Sequence, residues 1–226
     1  DISSIKGSAN GGPVSLGGQI QYSHFNPEQV NLDVNFQQLQ WNYPEGLNSF
    51  NQGGLGLNYS KGEWTLSGDI RIQQAYFKKD VYIGTELVNQ IRLNRVRMQT
   101  EMPDFLKQLN LDIQIQTEGE AVLDNNLAEL GLAANLIIKG SPLDPVFSGL
   151  ISNPFSGEIT FFERTFQVET ARIDFPGADI LDARLNIIAF TSMKIGNDQE
   201  EIKLTVNGPL TDLSTSLTSS PQPYSE

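Results

Sequence analysis

A single histidine, His24, stands in Tyr22-Ser23-His24-Phe25-Asn26-Pro27. A serine triad would need it as the base, but a lone imidazole beside a proline turn reads as a strand-edge residue. Glu118 and Glu120 lie two apart, so a strand would set both carboxylates on one face. Paired carboxylates can exchange protons or hold a cation; on a polar strand face they read as solvated surface. Asp124-Asn125-Asn126 lacks the alternating ligands and central glycine of a calcium loop and reads as a turn. Gly54-Leu55-Gly56 opens like a dinucleotide loop, yet Tyr59 stands where the third glycine belongs, and no strand-to-helix context follows. The chain has no cysteine, which excludes a disulfide, a thiol nucleophile and a zinc-thiolate site. No catalytic residue, metal or cofactor is therefore expected, and the chain does not read as an enzyme.

Charge narrows the partners. Fifteen Lys and Arg stand against 27 Asp and Glu in 226 residues, a net charge of −12. Such a surface repels phosphate backbones, so no nucleic-acid partner is expected. One stretch departs from this balance. Between Arg71 and Arg97 lie Arg71, Lys78, Lys79, Arg92, Arg95 and Arg97, against Asp80 and Glu86 alone. Arg92, Arg95 and Arg97 are candidates for contact with a lipid head group or an acidic partner. An ordinary solvated strand face is the competing account. No apolar run of about 18 residues is present, so no membrane-spanning helix is expected. The length fits one large all-β unit as well as two small domains.

The elements that must position such residues are strands. Apolar residues alternate at Val30, Leu32, Val34 and Phe36, again from Leu109 to Ile115, again from Leu130 to Ile138, and at Ile202, Leu204 and Val206. Shorter pieces are Leu55 to Tyr59, Trp64-Leu66, Ile70-Ile72, Ile159-Phe161, Phe166-Val168, Ile173-Phe175 and Leu185-Ile187. Period two places each apolar set on one sheet face, and a wet opposite face argues for antiparallel pairing. Turn signals separate the runs: Asn10-Gly11-Gly12-Pro13, Pro44-Glu45-Gly46, Lys61-Gly62, Gly140-Ser141-Pro142 and Gly208-Pro209. Helical signal is confined to a short piece after Pro103.

The chain also resembles itself. Leu16-Gly17-Gly18-Gln19-Ile20, Leu66-Ser67-Gly68-Asp69-Ile70 and Phe155-Ser156-Gly157-Glu158-Ile159 share one rule: apolar, small, Gly, polar, apolar. Any β-protein reuses strand and turn chemistry, but the repeat also suits a sheet that grows by adding strands along one axis. Roughly 15 to 18 strands about 4.8 Å apart would make a sheet too long to stay flat. Curled with its apolar side inward, it forms a trough.

An ordered set of residues in the C-terminal half resembles the TamB family. It runs from Asp124-Asn125-Asn126-Leu127 through Lys139-Gly140-Ser141-Pro142-Leu143-Asp144-Pro145 to Ser156-Gly157-Glu158-Ile159. It continues through Ala171-Arg172-Ile173-Asp174-Phe175, Leu181-Asp182-Ala183-Arg184-Leu185 and Val206-Asn207-Gly208-Pro209-Leu210 to Ser219-Ser220-Pro221. The first 85 residues are similar but more generic. The family's inner-membrane anchor helix has no counterpart here, nor has its segment after Ser-Ser-Pro. The expectation is thus a middle-to-late piece of a longer protein.

The resemblance implies an all-β fold: an elongated, curled, mostly antiparallel half-pipe, or β-taco, with a continuous apolar concave face and little helix. It implies one β-groove domain over 1–226, with N-terminal strands in 1–84, an irregular or short-helical part in 85–110 and the signature region in 111–226. It further implies a Gram-negative periplasmic bridge anchored in the inner membrane, with phospholipid as transported ligand. The implied protein partner is an outer-membrane barrel of the TamA/BamA type, met through its POTRA domains. On this reading the acyl chains lie along Leu111, Ile113, Ile115, Leu132, Leu136, Ile138 and Ile159. The lining continues with Phe161, Phe166, Val168, Ile173, Phe175, Leu185 and Ile187. A dry sandwich core would show the same alternation. A scaffold for outer-membrane barrel proteins such as autotransporters, using sheet edges, is the alternative function. A carbohydrate-binding solenoid would need an aromatic ladder, which Trp41, Tyr43, Trp64, Tyr76 and Phe77 do not form.

Overall fold

Alternating apolar residues and glycine-rich turns fold the chain as a succession of long strands. The computed structural model describes residues 1–23, 26–81, 102–195 and 198–221, with 89 and 91–93 between them. Strands β1 (Ile2–Ala9), β2 (Gly12–Ser23), β3 (Asn26–Trp41), β4 (Leu47–Ser60) and β5 (Glu63–Phe77) form an antiparallel meander. Helix α1 (Asp104–Lys107) begins at Pro103, where a proline costs no hydrogen bond. Strand β6 (Leu109–Asp124) then joins β5 in parallel, starting opposite Trp64 and ending opposite Phe77. It is the one parallel step among the described pairings.

Two interrupted strands follow. β7 (Ala128–Gly131) and β8 (Ala133–Gly140) both lie on the edge of β6 that β5 leaves free. β9 (Pro145–Ser152) and β10 (Glu158–Phe161) lie in the same way along β11 (Arg164–Ala178). β8 pairs with β9 and β7 with β10, so the pairings close a ring of six strands. The ring surrounds a short interruption in one sheet. Leu132 N–H donates to the Ala121 carbonyl at 2.7 Å and Asn153 N–H to the Ala171 carbonyl at 2.8 Å. The Asn153 side chain donates to the Gly131 carbonyl at 3.0 Å. These bonds carry the ladder across the gap. β12 (Arg184–Ile195), β13 (Asp198–Pro209) and β14 (Ser214–Pro221) complete the single 14-stranded sheet.

The count is below the 15 to 18 expected because bulges join runs that the sequence separates. In β11 the register slips between Val168 and Thr170. One extra residue there turns Phe166 and Val168 to the same side as Ala171 and Ile173.

Burial shows that the sheet curls. Ala128, Leu130, Ile159, Phe166, Val168, Ala171, Ala189 and Leu204 form one buried cluster, with Leu132, Phe161 and Ile187 packed against it. Phe166 is 2% exposed and Ala189 and Leu204 are 0% exposed. All the cluster's members belong to the sheet itself, so the sheet covers its own inner face.

Bulges and glycines supply the bend. The repeated glycine falls on the inner face: Gly18 is opposite Leu32, and Gly68 lies between Leu55 and Ile113. Their φ values are +147° and +143°, and an added Cβ would sit 2.1 Å and 2.0 Å from backbone carbonyl oxygens of the neighbouring strand. Only glycine lets two strands crease together so closely. The turns at 10–11, 42–46, 125–127 and 162–163 mark one end of the strands, the upper rim. Those at 61–62, 141–144 and 210–213 mark the lower rim.

Candidate functional site

The sheet registers align the apolar residues strand to strand. Leu16, Val34, Leu55, Gly68, Ile113, Ile138 and Phe147 form one unbroken row across β2 to β9. Beside it run Phe36, Gly53, Ile70, Ile115, Leu136, Gly149 and Phe175. Further rows are Ala134, Ile151, Ile173 and Leu185, then Val168, Ala189, Leu204 and Leu217. The apolar face thus runs from β2 to β14.

The sequence-derived lining residues all lie on this face, but in two surroundings. Leu111, Ile113, Ile115, Leu136, Ile138, Ile173 and Phe175 are half-buried. Ile159, Phe166 and Val168 are buried in the core cluster, against which Leu132, Phe161 and Ile187 pack. Leu185 is buried as well. Leu132 occupies the gap between β7 and β8 rather than a strand. Sequence reasoning missed Phe147 and Ile151 on β9, whose apolar residues come in pairs (Val146-Phe147 and Leu150-Ile151) and hide the alternation. It also left Leu16, Val34 and Leu55 out of the lining, although their alternation was equally plain.

The inner face holds one buried polar pair among the described residues. Ser49 and Asn51 are buried near the upper rim. Asn51 Nδ2 donates to Ser49 Oγ at 2.9 Å, and Ser49 Oγ donates to the Trp41 carbonyl at 3.3 Å. The pair satisfies itself and the bulge in β3, so it adds no unmet donor to the face.

The opposite face is mostly polar from β4 to β8, with Ile137 exposed beside Gln114. Glu118 accepts from Gln52 Nε2 at 3.1 Å and from Gln73 Nε2 at 2.7 Å. Tyr76 donates its hydroxyl to Glu120 at 2.9 Å, and Lys139 lies 3.5 Å from Asp112. Glu118 and Glu120 are therefore engaged with different partners. On β11 the Arg172 guanidinium binds Asp174, which holds the arginine pKa above its ordinary value. At the upper rim Lys79 reaches Glu45 at 2.6 Å, and this hydrogen bond and charge hold the Glu45 carboxyl below the usual range.

Asp124-Asn125-Asn126 is a turn. Asn125 Oδ1 accepts from the Leu127 and Ala128 amides at 3.0 and 3.1 Å, and Asn126 bonds both backbone groups of Val81. No group of three or more His, Cys, Asp or Glu able to hold a metal occurs among the described residues. No described helix is long and apolar enough to cross a membrane. Arg92 is exposed in the helical stretch 91–93. Arg95, Arg97 and His24 lie outside the described residues.

A search of curated proteins finds no match. The family comparison is positive over both halves of the chain, including the N-terminal strands whose resemblance was generic. Residues 3–226 match the TamB C-terminal domain, and the chain belongs to the TamB family.

Proposed function

We propose that this domain is a segment of a periplasm-spanning bridge whose apolar face carries phospholipid acyl chains between the inner and outer membranes. Membership supports a TamB-type role in outer-membrane assembly or lipid transport in the Gram-negative envelope, with a TamA-type partner. The observation that carries the finer reading is the unbroken apolar row from Leu16 to Phe147, half-buried at Val34, Leu55, Ile113 and Ile138. A sealed core would exclude a guest, and a flat exposed face would aggregate. Each methylene withdrawn from water contributes about 0.8 kcal/mol, so such a face holds a chain without head-group chemistry or a catalytic residue. The inner-membrane anchor and the contact with POTRA domains belong to the same proposal, and the implied transported ligand is phospholipid.

A photocrosslinking residue at Ile113 or Ile138 in the full-length protein is expected to capture phospholipid in cells. Probes at Gln114 and Lys139, on the opposite face, are expected to stay blank. Adducts only with nascent outer-membrane proteins would replace this reading with the scaffold one. That alternative has its own observation: β14 carries eight residues in continuous register with β13 and no charged residue. Such an edge accepts a further strand readily.

A further inference from the structure

We infer that the acyl path is interrupted within this domain: guests lie along β2 to β9, and the stretch from β11 to β13 is closed to them. The apolar face has the same chemistry in both places, so hydropathy does not divide it. Exposure divides it. The row from Leu16 to Phe147 contains no buried residue. Val30, Phe36 and Ile70 are buried among the first strands, but they belong to other rows. Three rows cross β11 to β13, and each meets a buried residue. Val168, Ala189 and Leu204 are all buried in the first. Ala171 heads the second, which continues to Ile187 and Val206, and Leu185 stands between Ile173 and Gly208 in the third.

Leu204 shows how the stretch is closed. It belongs to β13, one strand from the edge of the sheet, and its neighbour on β14, Leu217, is 51% exposed. A leucine on an open sheet face beside so exposed a neighbour would not be 0% exposed, as Leu204 is. Another part of the sheet lies over it, and the cluster it joins is drawn from β7, β10, β11 and β12. Ala128, Ala171 and Ala189 in that cluster carry a single methyl each, so the walls approach to core density.

Size decides what this does to a guest. A surface that no water molecule reaches cannot be touched by a methylene chain, which is wider. To pass, an acyl chain would have to part Phe166, Ala189 and Leu204 and forfeit their packing contacts. The open stretch is ample by comparison. It spans six strand steps from β2 to β9, about 29 Å, against about 15 Å of hydrocarbon in one leaflet of a bilayer. Its last open station is at Gly149, exposed between Leu136 and Phe175, beside the Phe147 and Phe175 rings 6.1 Å apart. From there a guest leaves sideways, between the two rims, rather than onward under β12 and β13. The inference rests on the lipid reading and adds where the path stops.

The test places one photocrosslinking residue at Ile138, Ile187 or Val206 of the full-length protein in cells. All three positions are half-buried, so the probe replaces a side chain of similar standing at each. Ile138 is expected to yield phospholipid adducts. Ile187 and Val206 are expected to yield none above the level at Gln114 on the opposite face, and to react instead within the chain, with the strands packed against them. Phospholipid captured at Ile187 or Val206 as readily as at Ile138 would overturn the inference and leave the lipid reading standing. Neither lipid nor intramolecular adducts at those two positions would overturn it as well, because the stretch would then be open to water. A blank at Ile138 would remove the lipid reading, and this inference with it.

Discussion

Among single residues, the glycines of the inner face carry the most structural information. An alanine in a strand interior is normally better than a glycine, by roughly 0.5–1 kcal/mol. At Gly68 the sign reverses. The backbone sits at φ +143°, and a Cβ there would stand 2.0 Å from the Gly54 carbonyl and 3.0 Å from the Leu55 Cα. Backbone cannot yield as a side chain can. Gly68→Ala is expected to lower stability by at least ~2 kcal/mol in urea unfolding. Gly7→Ala, with nothing within 4 Å of the new Cβ, is expected to stay within about 0.5 kcal/mol of wild type. Equal effects at the two positions would mean that the crease between β4 and β5 is dispensable. The repeat Leu-x-Gly-x-Ile was visible in the sequence, but its cause was not. Apolar, Gly, apolar at alternate positions reads as an interrupted strand until the register shows what each glycine faces.

Among elements, β11 shows what alternation can and cannot specify. Phe166 and Val168 occupy even positions, Ala171, Ile173 and Phe175 odd ones, so by alternation alone they read as two strands. The register slip at Glu169 makes them one strand with one apolar side. Removing Glu169 would bring Phe166, Val168, Ala171, Ile173 and Phe175 into one unbroken alternation with no bulge, so the apolar side would stay continuous and only the local bend would be lost. The deletion is expected to keep a cooperative unfolding transition, lowered by the lost bend, while Glu169→Gln, at an exposed position, is expected to unfold like wild type. Loss of cooperative unfolding in the deletion variant would show that the fold needs the bend the bulge supplies and not only a continuous apolar side. The parallel joining of β5 to β6 was illegible for a different reason. Alternation fixes which side a residue faces, not the direction of the neighbouring strand. The antiparallel steps were legible because glycine-rich turns of a few residues leave a chain no other way back. β9 stayed hidden because its paired apolar residues obscure the period, so half of the lining opposite β8 could not be read.

Considered as a whole molecule, a single sheet in which each strand bonds only to its neighbours has no reason to be equally stable throughout. The buried cluster belongs to β7 and β10 to β13, and β1 to β5 contribute isolated buried residues such as Val30, Phe36 and Ile70. β1 is exposed from Ser3 to Ala9. Stability in such an array is close to a sum of strand and interface terms, and opening starts where those terms are smallest. Hydrogen exchange is thus expected to be graded along the chain, with amides of β12 exchanging at least about a hundredfold more slowly than those of β1 and β2. The gradient has a use if the apolar face takes up guests. A face that admits and releases an acyl chain must part locally without global unfolding, and the half-buried run from Leu16 to Phe147 lies on the less cooperative side. The core cluster, by the same logic, anchors the curl. Uniform protection from β1 to β13, the behaviour of a two-state domain, would mean that the face opens only when the whole sheet does. Lipid entry along its length would then require unfolding rather than local parting.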